Sequence, residues 1–469
     1  MADILLTHSN HLFFDTKQVK KMQPYPPLQT LIAAAMLRRQ GFSVALFDST
    51  FLAPGEGLLR AIERHRPSLI VVAEDNFNFL TKMCLLRNRE LAFEFAALAK
   101  SYRIPIVVNG SDSADRAAEY LSAGFDFVIV GELEETLLEL CRKGPGNSRG
   151  LAGLCWREAD GTIHRAAPRR PFPDLSTLPG AAWDLVDIQP YRDAWLRAHG
   201  CFALNLVSSR GCPYRCNWCA KPIYGSTYRF HPAADVAREM SWLKESYAPD
   251  LIWFADDIFA LSARWTADFA DAVEDLDARV RFKMQSRCDL MTRSTVFDLR
   301  RAGCAEVWMG AESGSQRILD AMEKDIASTQ ILDACENLRA HGIRVCLFLQ
   351  FGYPGETWAD IRQTIDMVRA AKPDDVGISV SYPLPNTRLY EMVSAGTDRK
   401  TNWTDSGDLD LMFQGTYSTE FYRALADAIH REVRQGAGTA EEAWTRVEQL
   451  EPVSRNRTPS LPLLIAGAA

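Results

Sequence analysis

The chain has 469 residues, 47% of them hydrophobic and 24% charged, a composition that fits a folded, water-facing protein too long for one ordinary core. Two or three domains are expected, and the net charge of -7 argues against a broad nucleic-acid footprint. No apolar run approaches a membrane span, and eleven cysteines without an export signal point to reduced thiols or metal ligands in a cytoplasmic protein.

Residues 1–142 alternate short apolar runs with helix-length amphipathic segments. The runs at Ile4–Thr7, Val44–Phe47, Leu69–Ala73, Ile104–Val108 and Phe127–Val130 predict five strands. Buried runs of this kind, each followed by a helix, predict an α/β domain with a doubly wound, flavodoxin-like or Rossmann-like parallel sheet. Ligands of such sheets lie beyond the carboxyl ends of the strands. The polar residues there are Thr7 and His8, Asp48, Glu74 with Asp75 and Asn76, Gly110 with Ser111, and Gly131 with Glu132. Gly110 and Gly131 would let backbone approach a ligand closely, and tight turns call for glycine in the same way.

Residues 143–200 shift composition: Pro145, Pro168, Pro171, Pro173, Pro179 and Pro190 predict an ordered linker rather than a domain. From 201 to 395 strands and helices alternate again. Apolar runs at Ala203–Val207, Leu251–Phe254, Phe282–Gln285, Ala305–Met309, Val345–Gln350 and Val376–Val380 predict six β/α units, a partial barrel of the TIM type. Barrel sites gather at the carboxyl ends of strands. Residues 396–469 carry two helix-like runs, Glu420–Val433 and Ala440–Leu450, read as a small helical cap over the barrel mouth with a loose tail from Pro452.

Directly after the first barrel strand comes Ser208-Ser209-Arg210-Gly211-Cys212-Pro213-Tyr214-Arg215-Cys216-Asn217-Trp218-Cys219. Three cysteines at C-x3-C-x2-C spacing can aim three thiolates at one point, as iron–sulfur ligands do. With three cysteines and four irons, a cubane cluster keeps one open iron. On spacing alone, a structural zinc closed by His231 or Cys201 stays open as an alternative, as does a role for the cysteines as small apolar residues. Cys84, Cys141, Cys155, Cys304, Cys335 and Cys346 read as core or inert thiols.

The order of strand, cysteine loop and helix, with Trp218 before the last cysteine, resembles the radical S-adenosylmethionine (SAM) enzymes. Further matches follow in order: Asp256-Asp257 at the second strand end, Glu312-Ser313-Gly314 at the fourth, and Gln350-Phe351-Gly352-Tyr353-Pro354-Gly355-Glu356-Thr357 at the fifth; the third strand ends in Ser286-Arg287, a polar pair with donors for a carboxylate or ribose. With the N-terminal α/β domain and Pro24-Tyr25-Pro26-Pro27-Leu28, the chain resembles the cobalamin-dependent class of radical SAM enzymes over residues 1–395. The Asp-x-His-x-x-Gly motif that supplies a histidine to cobalt in many cobalamin proteins is absent.

That resemblance implies a 4Fe-4S cluster on Cys212, Cys216 and Cys219, SAM contacts from Trp218, Asp256, Asp257, Ser286, Arg287, Glu312 and Gln350, and cobalamin contacts from Thr7, His8, Glu74, Gly110, Ser111, Gly131 and Glu132. It implies reductive cleavage of SAM to a deoxyadenosyl radical, with an electron from an external donor such as flavodoxin or ferredoxin. Radical C-methylation of a small molecule through methylcobalamin would follow. Two other readings use the same parts: a radical cyclase of the anaerobic Mg-protoporphyrin monomethyl ester type, and a non-catalytic SAM-binding iron–sulfur sensor. Methylthiotransferases resemble the barrel but need an N-terminal cluster domain with three further cysteines, where residues 1–142 offer Cys84 and Cys141.

Overall fold

A computed structural model of the chain describes residues 3–77, 86–393, 402–403 and 406–455. Cys84 and the end of the tail lie outside them. The N-terminal sheet comprises β1 (Ile4–Thr7), β2 (Val44–Phe47), β3 (Leu69–Ala73), β4 (Ile106–Asn109), β5 (Phe127–Ile129), β6 (Leu154–Arg157) and β7 (Ile163–Arg165). Its order is β2-β1-β3-β4-β5-β6-β7. The first five strands are parallel, and β6 and β7 join antiparallel. Every residue of β1, β3, β4 and β5 is buried, as a sheet covered by helices on both faces requires.

The sequence predicts five strands here, and the structure adds two from the stretch read as a linker. That hairpin is short and its outer strand wholly exposed, so it lacks the apolar run by which the parallel strands are recognised. The linker also carries a helix, Gln189–His199, whose buried Tyr191 and Trp195 fill the space between the two sheets.

The second sheet is parallel throughout and open: β8 (Ala203–Leu206), β11 (Leu251–Phe254), β12 (Phe282–Ser286), β13 (Cys304–Glu312), β14 (Arg344–Phe351) and β15 (Asp375–Val380) stand in that order. A two-stranded ribbon, β9 (Ser209–Arg210) with β10 (Arg229–Phe230), rises from the end of β8. One apolar core runs through this sheet and its helices and takes in Leu28, Leu31 and Phe77 of the N-terminal domain. The two domains therefore share a buried apolar junction instead of touching only through the connector.

The helix Thr419–Gln435 packs against β15, covering that edge strand, and the helix Glu441–Ser454 packs on it in turn. Residues just before this pair reach back to the N-terminal domain: the Ser406 amide donates to Asp15 (2.9 Å) and the Trp403 carbonyl accepts from the Leu86 amide (3.1 Å). Among the described residues no helix is long and apolar enough to cross a membrane.

Candidate functional site

The cysteine loop is the excursion between β9 and β10, and side chains outside it fix its shape. Lys221 donates to the carbonyls of Cys212 (2.9 Å) and Tyr214, folding the loop back on itself. Asn217 is buried and donates through its side chain to the Ala321 carbonyl (2.7 Å) and the Tyr353 hydroxyl (3.0 Å), while its backbone N–H donates to the Met322 carbonyl (3.0 Å). Gly211 has φ +80, and a Cβ there would lie 2.4 Å from the Thr227 carbonyl oxygen. Only glycine fits that conformation and that contact.

Cys212, Cys216 and Cys219 are half-buried on this loop and form no disulfide. Burial pushes the Cys212 thiol up, and Asp257 and Cys216 push the same way while Lys221 opposes them. A group of three or more His, Cys, Asp or Glu side chains able to hold a single ion does not occur among the described residues. The donor set itself fits a cluster: three thiols on a braced loop, with cationic Lys221, Arg287 and Lys324 around them to offset thiolate charge.

The other strand-end residues divide into two groups. Asp256, fully buried, accepts from the Ser208 amide (3.1 Å) and from the Ser208 and Ser209 hydroxyls, so it anchors the base of the cysteine loop. Burial pushes its carboxyl up to about 6, against those donors. The Ser286 hydroxyl donates to the Phe259 carbonyl (2.8 Å) and the Gln350 amide to the Ser381 hydroxyl (3.0 Å). These three residues hold neighbouring strand ends together.

The second group faces the cysteines. The Arg287 guanidinium stacks on the Tyr214 ring of the loop at 3.6 Å and is braced by Asp289 and by the Lys324 carbonyl (2.8 Å). Glu312 has φ +59, at a register shift in β13 beside Gly310. That left-handed residue turns its carboxylate to a buried ion pair with Lys324 at 2.9 Å. Trp218 packs against the core with its indole N–H unpartnered and buried. The sequence assigns no role to Lys221, Asn217, Lys324 or Tyr353: Lys221 and Lys324 lie away from the strand ends, and Asn217 and Tyr353 stand inside their motifs as spacers.

In the N-terminal sheet the order β2-β1-β3-β4-β5 places the crevice of a doubly wound fold between the carboxyl ends of β1 and β3. Thr7 Oγ1, Asn76 Oδ1 and Ser111 Oγ are buried there with no hydrogen-bond partner. Orphaned buried polar atoms are rare and costly, so three at one sheet end fit a site that a polar ligand completes. Gly110 lies so close to Glu74 that a Cβ would sit 2.8 Å from its Cγ. The Glu74 carboxylate accepts from the Ser9 amide (3.1 Å), and the Gly131 carbonyl accepts from the Asn109 side chain (2.9 Å).

His8 is committed within the protein: Nε2 is 3.0 Å from Asp48 and Nδ1 is 3.3 Å from the Ser49 hydroxyl. Burial opposes charge on the ring and Asp48 overrides it, holding His8 above its ordinary pKa. Glu132, placed with this sheet end by sequence, turns toward the second domain and pairs with Arg210 (3.1 Å) and Arg229 (2.5 Å).

A model of a B12 binding domain matches residues 22–141 and one of the radical SAM superfamily matches residues 206–368. An uncharacterized methyltransferase of Pyrococcus horikoshii is 28% identical over 290 residues, 61% of this chain and 62% of the relative. An anaerobic magnesium-protoporphyrin IX monomethyl ester cyclase of Synechocystis is 23% identical over 331 residues, 68% of this chain and 63% of the relative. The chain thus spans somewhat under two thirds of the length of these two relatives. Among solved structures, the radical SAM methyltransferase TsrM of Kitasatospora setae, with cobalamin and a [4Fe-4S] cluster bound, superposes with a TM-score of 0.69 at 19% identity, covering 84% of this chain and 75% of that one. The cobalamin-dependent SAM radical enzyme OxsB superposes with a TM-score of 0.65 at 17% identity, covering 99% of this chain and 59% of that one. With a B12 binding domain and a radical SAM domain in one polypeptide, each built on the sheet it requires, the chain belongs to the cobalamin-dependent radical SAM enzymes.

Proposed function

We propose that this chain methylates an unactivated carbon of a small molecule, using SAM, an iron–sulfur cluster and cobalamin. The observation that carries the reading is the junction. A braced loop of three thiols at the end of β8 is tied by buried ion pairs to a sheet whose own carboxyl end holds three orphaned polar atoms. Cys212, Cys216 and Cys219 would hold the cluster. Trp218, Asp257, Arg287 and the Glu312–Lys324 pair would surround SAM, and Thr7, Glu74, Asn76 and Ser111 would meet cobalamin. When bound, the cluster supplies one electron to SAM and cobalamin supplies a transferable methyl group.

The protein's own part is positioning. Lys221 and Asn217 hold the loop closed, Arg287 clamps Tyr214 against it, and Lys324 pairs with the Glu312 carboxylate beside it. The apolar junction of Leu28, Leu31, Phe77, Trp183 and Tyr224 excludes water from the region between the domains. The electron would come from an external carrier such as flavodoxin or ferredoxin.

The similarity to a cyclase keeps a second reading: radical ring closure without methyl transfer. Anaerobically reconstituted protein with hydroxocobalamin, SAM and dithionite separates the two once a substrate extract is supplied. A methyltransferase forms both 5′-deoxyadenosine and S-adenosylhomocysteine, whereas a cyclase forms only the first. Failure to cleave SAM at all would refute both and favour a SAM-binding sensor. The Cys212→Ala/Cys216→Ala variant should lose iron and all SAM cleavage.

A further inference from the structure

A continuous buried hydrogen-bonded chain runs from the carboxyl end of β3 to the cysteine loop. The Gln29 backbone N–H donates to Asp75 (3.2 Å), and the Gln29 side-chain N–H donates to Glu134 Oε1 (2.9 Å). Glu134 Oε1 also takes the Arg210 guanidinium at 2.6 Å, and the Tyr224 hydroxyl donates to the Gln29 carbonyl oxygen. Gln29, Glu134 and Arg210 are at most 1% exposed. Arg210 stands two residues before Cys212, and its backbone is paired with Arg229 across the β9–β10 ribbon. The Phe77 and Tyr224 rings stack at 5.1 Å, and the Arg210 guanidinium lies over both of them.

The charges balance, two glutamates against two arginines, but the hydrogen bonds do not. Arg210 spreads its two Nη atoms over Glu134 and Glu132, leaving its own Nε and Glu134 Oε2 buried without partners. The same groups could be arranged a second way. Were the guanidinium to turn so that Nε and one Nη engage both oxygens of Glu134, both orphans would be satisfied and Glu132 would be left to Arg229. A junction of four buried charges that leaves Arg210 Nε and Glu134 Oε2 unsatisfied is suited to repacking, as a switch requires. Gly211, between Arg210 and Cys212, sits where a Cβ would lie 2.4 Å from the Thr227 carbonyl, 3.0 Å from that of Tyr224 and 3.2 Å from that of Gly225, so the backbone joining the arginine to the first cysteine is closely confined.

We infer that Gln29, Glu134 and Arg210 are positioning residues that couple the two cofactor sites, so that a corrinoid at the N-terminal sheet and SAM at the cysteine loop bind cooperatively. The inference rests on the assignment of cobalamin to that sheet end. A ligand meeting Asp75 and its neighbours fixes Gln29; Gln29 fixes which Glu134 oxygen Arg210 uses; and Arg210 sets the loop.

The test is SAM affinity, by anaerobic calorimetry, of cluster-loaded protein with and without hydroxocobalamin. In the wild type hydroxocobalamin should tighten SAM by about fivefold or more, and SAM should tighten hydroxocobalamin by the same factor. Gln29→Met keeps the backbone N–H and the bulk but removes the side-chain link. It should bring the coupling below about twofold while each affinity measured alone stays within about threefold of wild type. Glu134→Gln, which removes the charge that orients Arg210, should do the same. A purely structural role would lower melting temperature or both affinities and leave their ratio unchanged. Wild-type coupling below twofold, or full coupling in Gln29→Met, would overturn the inference while leaving the functional reading standing. Absence of hydroxocobalamin binding would overturn both.

Discussion

Glu356 is a carboxylic acid that should be neutral at physiological pH, and replacing it by glutamine should remove its share of the pH dependence of stability, so that wild type and variant exchange rank between pH 5 and pH 8. It lies in the loop after β14, fully buried, with one oxygen accepting the Gly352 amide at 2.6 Å and the other unpartnered. The Tyr422 hydroxyl, from the helix that covers β15, is buried and unpartnered as well; burial raises its pKa, and the Glu356 carboxylate adds to the rise. Burial pushes Glu356 from 4.5 up to about 8, with Asp360 adding to the rise and Arg317 opposing it. Because the folded value lies above the unfolded one, the folded state binds the extra proton. Stability linked to this group is full below the unfolded value, declines as pH rises between the two, and is level above the folded value.

A shift of this size corresponds to about 5 kcal/mol over the whole window and to about 3 kcal/mol between pH 5 and pH 8. Glu356→Gln keeps the acceptor for Gly352 and abolishes the titration, but buries an amide whose second N–H lacks a partner, at a cost of about 1–3 kcal/mol. The variant should therefore be less stable than wild type near pH 5 and more stable near pH 8. Urea unfolding followed by tryptophan fluorescence at the two pH values measures it. Midpoints that differ by the same amount at both would refute a neutral Glu356.

Three further outcomes follow from the cysteine loop and its supports. Lys324→Met leaves the Glu312 carboxylate buried without its cation and should cost about 3–5 kcal/mol, seen as a fall in melting temperature, with weaker SAM binding in the protein that remains folded. Gly211→Ala must place a Cβ 2.4 Å from the Thr227 carbonyl at φ +80, and iron bound per chain after reconstitution should drop several-fold while far-UV circular dichroism stays unchanged. Asn217→Ala removes two side-chain donors from the back of the loop and should speed loss of the cluster to a chelator, with Asn217→Asp failing to restore it because the Ala321 carbonyl needs a donor.

The parts of the molecule legible in the sequence are those that follow a period or a spacing. The parallel strands are buried on both faces, so Ile4–Thr7 and Leu69–Ala73 stand out as unbroken apolar runs and their boundaries are met. The thirteenth and fourteenth strands run longer than their apolar cores because polar residues at their ends still pair, down to Glu312 beyond the register shift at Gly310. The hairpin of β6 and β7 is illegible for the opposite reason: its residues Ile163–Arg165 are all exposed, and proline-rich composition nearby reads as a connector. At the site, residue type and strand-end position find Arg287 and Glu312, but not Lys324, since its role depends on a neighbour twelve positions away that turns back only because Glu312 is left-handed.

The strand-end rule also assigns too much. It places Asp256, Ser286, Gln350 and Glu132 with ligands, and in the structure all four have protein partners. A sequence shows that a polar group is buried near a site but not whether the chain itself supplies its partner. The orphaned atoms make that distinction: Thr7, Asn76, Ser111 and Trp218 carry buried polar groups with none, whereas Asp256 accepts from two hydroxyls and a backbone amide. Unpartnered buried atoms also occur at Arg210, Glu134, Glu356 and Tyr422, so they mark a ligand site only where they gather at a strand end or on the cysteine loop, as those of Thr7, Asn76, Ser111 and Trp218 do. The polar groups between the N-terminal sheet end and the cysteine loop, Gln29, Glu132, Glu134 and Arg210, serve to hold the two in register.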